Sequence, residues 1–317
     1  MLNHQTEHPS GAPRGGFVIS LDFELMWGVR DKKTVADYGT NILGVRQGVP
    51  RLLELFARHR LGCTWATVGM LFFEDRAALL AALPGLRPGY AERNLSPYGD
   101  LDRIGETERD DPYHFGLSLI RQIAAAPGQE IATHTFSHFY CLEPGQTVTE
   151  FGADLAAACD AAKTIGITLE SIVFPRNQFN ADYLDACRKA GLIAWRGNER
   201  GRMYRAEAQS GERLAKRGVR LADAYLNLSG ANGSHPVARG GMAEVPSSRF
   251  LRPWSARLAA LEPLRLRRIL GAMGHAARRG EVFHLWFHPH NFGIDQDRNF
   301  AVLERIAAEA ARRALAA

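Results

Sequence analysis

The chain has 317 residues, 46% apolar and 23% charged, which is enough for one large α/β domain. The formal charge is +5, but no basic block alternates with aromatics and no apolar run reaches membrane-spanning length. Neither nucleic-acid binding nor a transmembrane segment is therefore expected. Cys63, Cys141, Cys159 and Cys187 form no CxxC pair and match no zinc spacing, so buried free thiols are expected.

In chain order, residues 1–16 are polar and lack the apolar core of a signal peptide. They read as an N-terminal tail, with a single domain over 17–317 and a cytoplasmic setting. Phe17–Leu25 and Cys63–Val68 read as strands flanking a helix over Val49–His59. The Pro- and Gly-rich stretch Pro84–Pro112 reads as a long loop suited to substrate binding. A helix over Phe115–Ala125 leads to a strand at Glu130–Thr133, and an Ala-rich helix over Val148–Thr164 leads to one at Ser171–Phe174. Ala181–Ala190 reads as a helix stopped by Gly191, followed by strands at Leu192–Trp195 and Leu221–Leu228. Gly230–Gly241 reads as a loop and Ala243–Pro246 as weakly extended. Helices over Leu264–Ala277 and Arg298–Ala314 bracket the last strand, Val282–Phe287. Arg265, Arg267, Arg268, Arg278 and Arg279 read as a solvated helical face. Alternating strand and helix predicts a parallel sheet, open or closed.

Unusual polar residues collect where these strands end: Ser20-Leu21-Asp22-Phe23-Glu24, His134-Thr135-Phe136-Ser137-His138, Phe174-Pro175-Arg176-Asn177, Trp195-Arg196-Gly197-Asn198-Glu199 and His288-Pro289-His290-Asn291. Active sites of α/β sheets gather at the carboxyl ends of strands. Asp22 and Glu24 are two apart and share one face of a strand. A solvent-facing pair is the alternative, and the apolar run Phe17–Leu21 argues against it, because unpaired buried carboxylates are costly. His134 and His138 are four apart, so one helical turn would aim both at a shared metal; with one carboxylate they leave an open position, as catalytic zinc needs. Arg176 is either a surface ion-pair partner or a fixed cation orienting a catalytic carboxylate. Trp195 to Glu199 is a plain turn or a site segment. His284 reads as a barrel-interior histidine. His288, before a proline, is positioned for general acid catalysis. Phe23, Trp27, Tyr140, Trp195 and Trp286 offer faces for a sugar ring, with core packing as the alternative for most.

Taken in order, SLDFE, HTFSH, FPRN, the strand ending WRGNE, and LWFHPHN resemble the motifs of the polysaccharide deacetylases, also called the NodB homology or carbohydrate esterase family 4 group. HTFSH is the most specific element, matching a His-Ser/Thr-x-x-His metal motif. The resemblance implies a distorted (β/α) barrel of about seven strands, related to the TIM barrel, and a divalent metal, with zinc expected. It implies His134, His138 and Glu24 as ligands, Asp22 as base, Arg176 as its brace and His288 as general acid. Trp195, Glu199, His290 and Asn291 are expected to contact substrate, with His290 further out on looser backbone. The implied reaction removes an N-acyl group, acetyl above all, from an amino sugar or carrier-linked glycan. Three departures stand out: Phe23 separates acids that are usually adjacent, Asn177 stands where proline is common, and the fourth motif's aspartate is not evident, with Glu199 or Asn198 as its stand-in. Relatives that open cyclic ureides or imides, some without metal, carry similar motifs and define the alternative, an allantoinase- or imidase-like hydrolase.

Overall fold

The structure, a computed structural model, describes residues 15–208 and 214–315. Nine strands form one sheet: β1 Gly16–Phe23, β2 Cys63–Thr67, β3 Gln129–Thr133, β4 Ser171–Ile172, β5 Ala194–Gly197, β6 Val237–Arg239, β7 Met242–Pro246, β8 Arg249–Phe250 and β9 Val282–Phe287. Their order is β6-β7-β5-β4-β3-β2-β1-β9-β8, and every pairing is parallel except the β6–β7 hairpin. The main helices are α1 Val35–His59, α2 Arg76–Ala81, α3 Leu117–Ala125, α4 Val148–Lys163, α5 Leu184–Lys189, α6 Leu214–Asp223, α7 Glu262–Arg278 and α8 Gln296–Leu315.

The chain itself curls this sheet. β7 and β8 lie towards opposite ends of the strand order, yet only Ser247 and Ser248 separate them. The Ser247 amide bonds the carbonyl of Gly197, the last residue of β5, at 2.8 Å, and the next amide, of Ser248, bonds the His284 carbonyl of β9 at 2.8 Å. Two neighbouring residues can reach both ends only if the sheet bends round into a distorted barrel. This is the expected fold class, with two strands more than the expected seven.

Helix α1 starts earlier than expected. Thr34 accepts from the Asp37 amide as its N-cap. Ile42, Val45, Val49, Leu52 and Phe56 then fall three or four apart and are all buried against the sheet. Thr147 and Glu150 form a reciprocal capping box that fixes the start of α4. The expected strand Leu221–Leu228 is instead the end of α6 and a turn. The Asp223 carboxylate accepts from the amides of Leu228 and Ser229, while Leu226 and Leu228 stay exposed, so no alternating buried face exists there. The expected loop 230–241 contains the short strand β6.

The expected solvated arginine face on α7 is also corrected. Arg265 and Arg268 are buried. Arg265 is held by the Glu262 carboxylate and the Arg252 carbonyl, and Arg268 by the Gly230 carbonyl and Asp223. Charged side chains this deep need such partners, which spacing along one helix does not reveal.

Candidate functional site

All the polar strand-end segments meet at one end of the barrel. Asp22 is the penultimate residue of β1, and Glu24 follows the strand as the cap of a short 3₁₀ turn, Leu25–Gly28. A Cβ on Gly28 would lie 2.0 Å from Glu24 Cδ, so the carboxylate occupies space that a side chain at 28 would fill.

The HTFSH segment is not a helical turn. It leaves β3 through a tight bend in which Thr135 has φ 63° and His138 φ 59°, left-handed values that L-residues rarely adopt. The bend is over-determined. Asp154 of α4 accepts from the amides of Phe136 and Ser137 and from the Ser137 hydroxyl, and the Thr135 hydroxyl accepts from the Phe139 amide at 2.7 Å. Backbone held this way against its preference is a common feature of functional sites.

The bend brings both imidazoles onto Glu24. Glu24 Oε2 lies 3.0 Å from His138 Nε2 and 3.4 Å from His134 Nε2. His134 Nδ1 donates to the Val173 carbonyl at 2.8 Å, which in a neutral ring leaves the lone pair on Nε2. His138 Nδ1 pairs with the Tyr140 hydroxyl at 3.0 Å. Both outer contacts orient the rings as partners of metal-bound histidines do. Burial is the largest influence on His138 and lowers it to about 4, keeping the ring neutral. Burial alone would raise Glu24, but the imidazoles of His288, His134 and His138 outweigh it and hold the carboxyl well below its ordinary range.

These residues fit a divalent metal. Glu24, His134 and His138 each offer one ligand atom, all within 4.8 Å of one another and all buried. His134 Nε2 is a buried polar atom without a hydrogen-bond partner. Two imidazoles and a carboxylate are a donor set suited to zinc.

Asp22 faces a different partner from the expected one. Arg196 of β5 donates to Asp22 Oδ1 at 2.6 Å and to Oδ2 at 2.9 Å, and also to the Ser20 hydroxyl at 3.0 Å and Asn177 Oδ1 at 2.9 Å. Burial pushes Asp22 up, but Arg196 together with His134 and His288 outweighs it, and the carboxyl is held below its ordinary value. Arg176 does not pair with Asp22. It donates to both Asp31 oxygens at 2.6 Å and lies 4.4 Å from the Tyr140 ring centre. The turn after β4 explains this: Arg176 and Asn177 have φ 54° and 53°, which turns the guanidinium away from β1 and leaves Asn177 facing Arg196. The sequence signal for Arg196 was a charged residue inside a strand otherwise built to be buried.

The histidines after β9 close the site. His288 Nε2 lies 3.5 Å from Asp22 Oδ2 and 3.6 Å from Glu24 Oε1, with the side chain 22% exposed. Its Nδ1 faces the Asn291 amide nitrogen at 3.4 Å, and Asn291 Oδ1 accepts from the Tyr38 hydroxyl at 3.2 Å. His290 is not further out: it is 4% exposed, with Nε2 3.8 Å from Glu24 Oε1. The turn Pro289–Phe292 folds it back under His288, and the two rings stack 5.0 Å apart. His284 is interior, bonded to the Ser20 hydroxyl at 2.8 Å, and burial lowers it to about 3.

Trp195 is not brought to the site. Strand alternation sends it to the opposite face from Arg196, where it is 2% exposed and stacks on Phe179 at 4.1 Å. Phe23, Trp27 and Tyr140 are buried as well. Of the five aromatics considered for a sugar face, Trp286 is the one lining the neighbouring cavity among the described residues. Glu199 lines the same cavity. Its Oε1 accepts from the Phe250 amide and the Trp286 indole, its Oε2 is buried and unpartnered, and burial lifts the carboxyl to about 7 against the pull of Arg249.

No family model matches the sequence and no curated protein does. Solved structures share the fold. A Mycobacterium smegmatis protein named as a polysaccharide deacetylase superposes with a TM-score of 0.58 at 16% identity, over 96% of this chain and 86% of that one. One so named from Pseudomonas aeruginosa PAO1 gives 0.51 at 12% identity, over 94% and 89%. Puue allantoinase gives 0.51 at 11% identity, over 96% and 91%. The chain therefore has the fold shared by the polysaccharide deacetylases and this allantoinase, a scaffold on which the chemistry belongs to the site.

Proposed function

We propose that the protein is a metal-dependent amide hydrolase that removes an N-acyl group, acetyl in the first instance, from an amino sugar. The observation that carries this reading is the convergence of Glu24, His134 and His138, each within 4.8 Å of the others, beside an Asp22 carboxylate pinned by Arg196. Glu24, His134 and His138 would hold the metal. A bound zinc ion supplies Lewis acidity, polarising the acyl carbonyl and bringing the pKa of a bound water from about 15.7 towards roughly 7.

The chain's own groups do the rest. Asp22, kept ionised and oriented by Arg196, accepts the proton of the attacking water at Oδ2, the oxygen that faces His288. His288, protonated as the imidazolium, gives its Nε2 proton to the departing amine, which leaves poorly as an anion; the ring ends neutral, and the proton held on Asp22 Oδ2, 3.5 Å away, restores it. Asn291 and Tyr38 hold the His288 ring for that transfer.

The test is metal analysis of the purified protein together with acetate and formate release from a panel of N-acylated amino sugars. One divalent ion per chain and acyl release abolished by chelation are expected. A metal-free protein that hydrolyses cyclic ureides and releases no acetate would replace this reading with the allantoinase-like one.

A further inference from the structure

Next to the ligand cluster lies a cavity of about 560 Å³, a size usual for small-molecule sites. Its walls carry five guanidinium groups, Arg176, Arg217, Arg220, Arg249 and Arg252, against one carboxylate, that of Glu199. Arg249 is paired with Asp223 and Arg176 with Asp31. Arg217 and Arg252 have no carboxylate within 4 Å among the described residues.

The charge is also partly desolvated. Burial is the largest influence lowering Arg252; Tyr225 opposes it, and the neighbouring Arg265, Arg220 and Arg217 push the same way. Cations that disfavour one another in a half-buried hollow gain from an anion placed among them.

The cavity shares its wall with the catalytic groups. Asn177 lines it and accepts from Arg196 at 2.9 Å. Trp286 lines it too, with its ring centre 4.4 Å from the Arg196 guanidinium and 5.7 Å from the His288 ring. A ligand seated among the arginines is thus one side chain away from the proposed acid and base.

We infer that this cavity binds a diphosphate ester carried by the substrate, so that the acyl amino sugar is presented as a sugar diphosphate conjugate and not as a neutral polymer. Guanidinium forks match phosphoryl oxygens in pairs. Arg217 and Arg252, the two lining guanidinium groups with no carboxylate within 4 Å among the described residues, together suit a group bearing more than one negative charge. The inference rests on the proposed deacylase activity for its substrate, while the anion site stands on the cavity alone.

Two measurements separate these. The first is calorimetric binding of inorganic pyrophosphate to the protein as purified, and to Arg217→Ala, Arg252→Ala and Arg252→Lys. Each alanine variant is expected to bind about tenfold more weakly or worse, and Arg252→Lys to recover only part of the loss. Arg217 is exposed, so its variant keeps the test available if Arg252→Ala fails to fold. Pyrophosphate binding that is absent, or indifferent to both arginines, overturns the anion site whether or not the protein deacylates anything.

The second compares kcat/KM for one N-acetyl amino sugar as its neutral methyl glycoside, as a nucleoside diphosphate sugar and as a lipid diphosphate sugar in detergent micelles. A preference of about a hundredfold for one diphosphate form, falling in Arg217→Ala, supports the inference and tells which carrier is used. Equal kcat/KM for all three overturns it. Acetate release from none, with pyrophosphate still bound, refutes the deacylase reading and leaves the anion site intact.

Discussion

Arg196 grips Asp22 through both terminal guanidinium nitrogens, at 2.6 and 2.9 Å, across the inside of the barrel from β5 to β1. The pair is buried on both sides, with side-chain exposures of 1% and 4%. Arg196→Lys keeps the charge and loses the fork. We expect kcat to fall by roughly 10² or more, since misplacing a reacting group by about 1 Å costs that much. Arg176→Lys, which disturbs the Asp31 contact, should change KM more than kcat. Steady-state kinetics of the two variants decides it, and the reverse ranking would return the bracing role to Arg176.

The two acids differ in what they hold. Asp22→Asn should retain the metal and lose turnover, whereas Glu24→Gln should lose metal affinity first. Tyr140→Phe removes the partner of His138 Nδ1 and should weaken metal binding by about 10–100-fold. Gly28→Ala should release the metal while leaving the fold intact, because the clash falls on the movable end of Glu24. Chelator competition on the four variants measures this. Tight metal in Gly28→Ala would show that Glu24 is not a ligand.

His288 and His290 are expected to separate by role. His288→Ala should lower kcat by about 10²–10⁴-fold and be rescued by a substrate with a good leaving group. His290 is buried against Glu24, so His290→Ala should act through the metal ligand, lowering metal affinity, with no such rescue. If the good leaving group restores His290→Ala instead, the acid has been misassigned.

Glu199 sets a pH dependence of stability. Its folded carboxyl sits at about 7, above its ordinary 4.5, because of burial. The folded state therefore binds the proton more tightly than the unfolded state. Stability is fully present below about pH 4.5 and declines as pH rises through about 7. Glu199→Gln keeps an acceptor for the Phe250 amide and the Trp286 indole and removes the charge. It should match the parent near pH 4.5 and exceed it at pH 8 by on the order of 3 kcal/mol. Denaturant melts at both values check this, and equal differences at both would mean that Glu199 does not carry the effect.

Much of the fold and the cluster of Glu24, His134 and His138 was legible in the sequence. The alternation of strand and helix, and polar residues at strand ends, located β1, β3, β5 and β9 and the groups they present. His134 and His138 were legible from their spacing, although a bend clamped by Asp154 brings them together and not a helical turn. The partner of Asp22 was not legible. Whether Arg176 or Arg196 faces β1 depends on the turn after β4 and on how the sheet curls, and neither leaves a mark in local spacing. The arginine-lined cavity was hidden for the same reason: α6, β8 and the turn after β4 are distant in sequence and meet only in the folded barrel. Leu221–Leu228 misled because its apolar residues look alternating, whereas Asp223 binds the following amides and turns the chain.

The two-residue link between β7 and β8 also bears on how the chain reaches this state. Ser247 and Ser248 tie the β5 edge to β9, so β8 cannot settle beside β9 until β1 through β5 have been laid down and bent round to meet it. Closure is therefore a contact of high sequence separation, with its chain entropy spent before the pairing rewards it. Asp22 on β1 and His288 after β9 meet through direct strand pairing, whereas Arg196 on β5 reaches Asp22 only across the curled sheet, so their contact depends on that closure. A chain stalled before it would already have Glu24, His134 and His138 side by side after β1 and β3, with Asp22 still lacking its Arg196 partner.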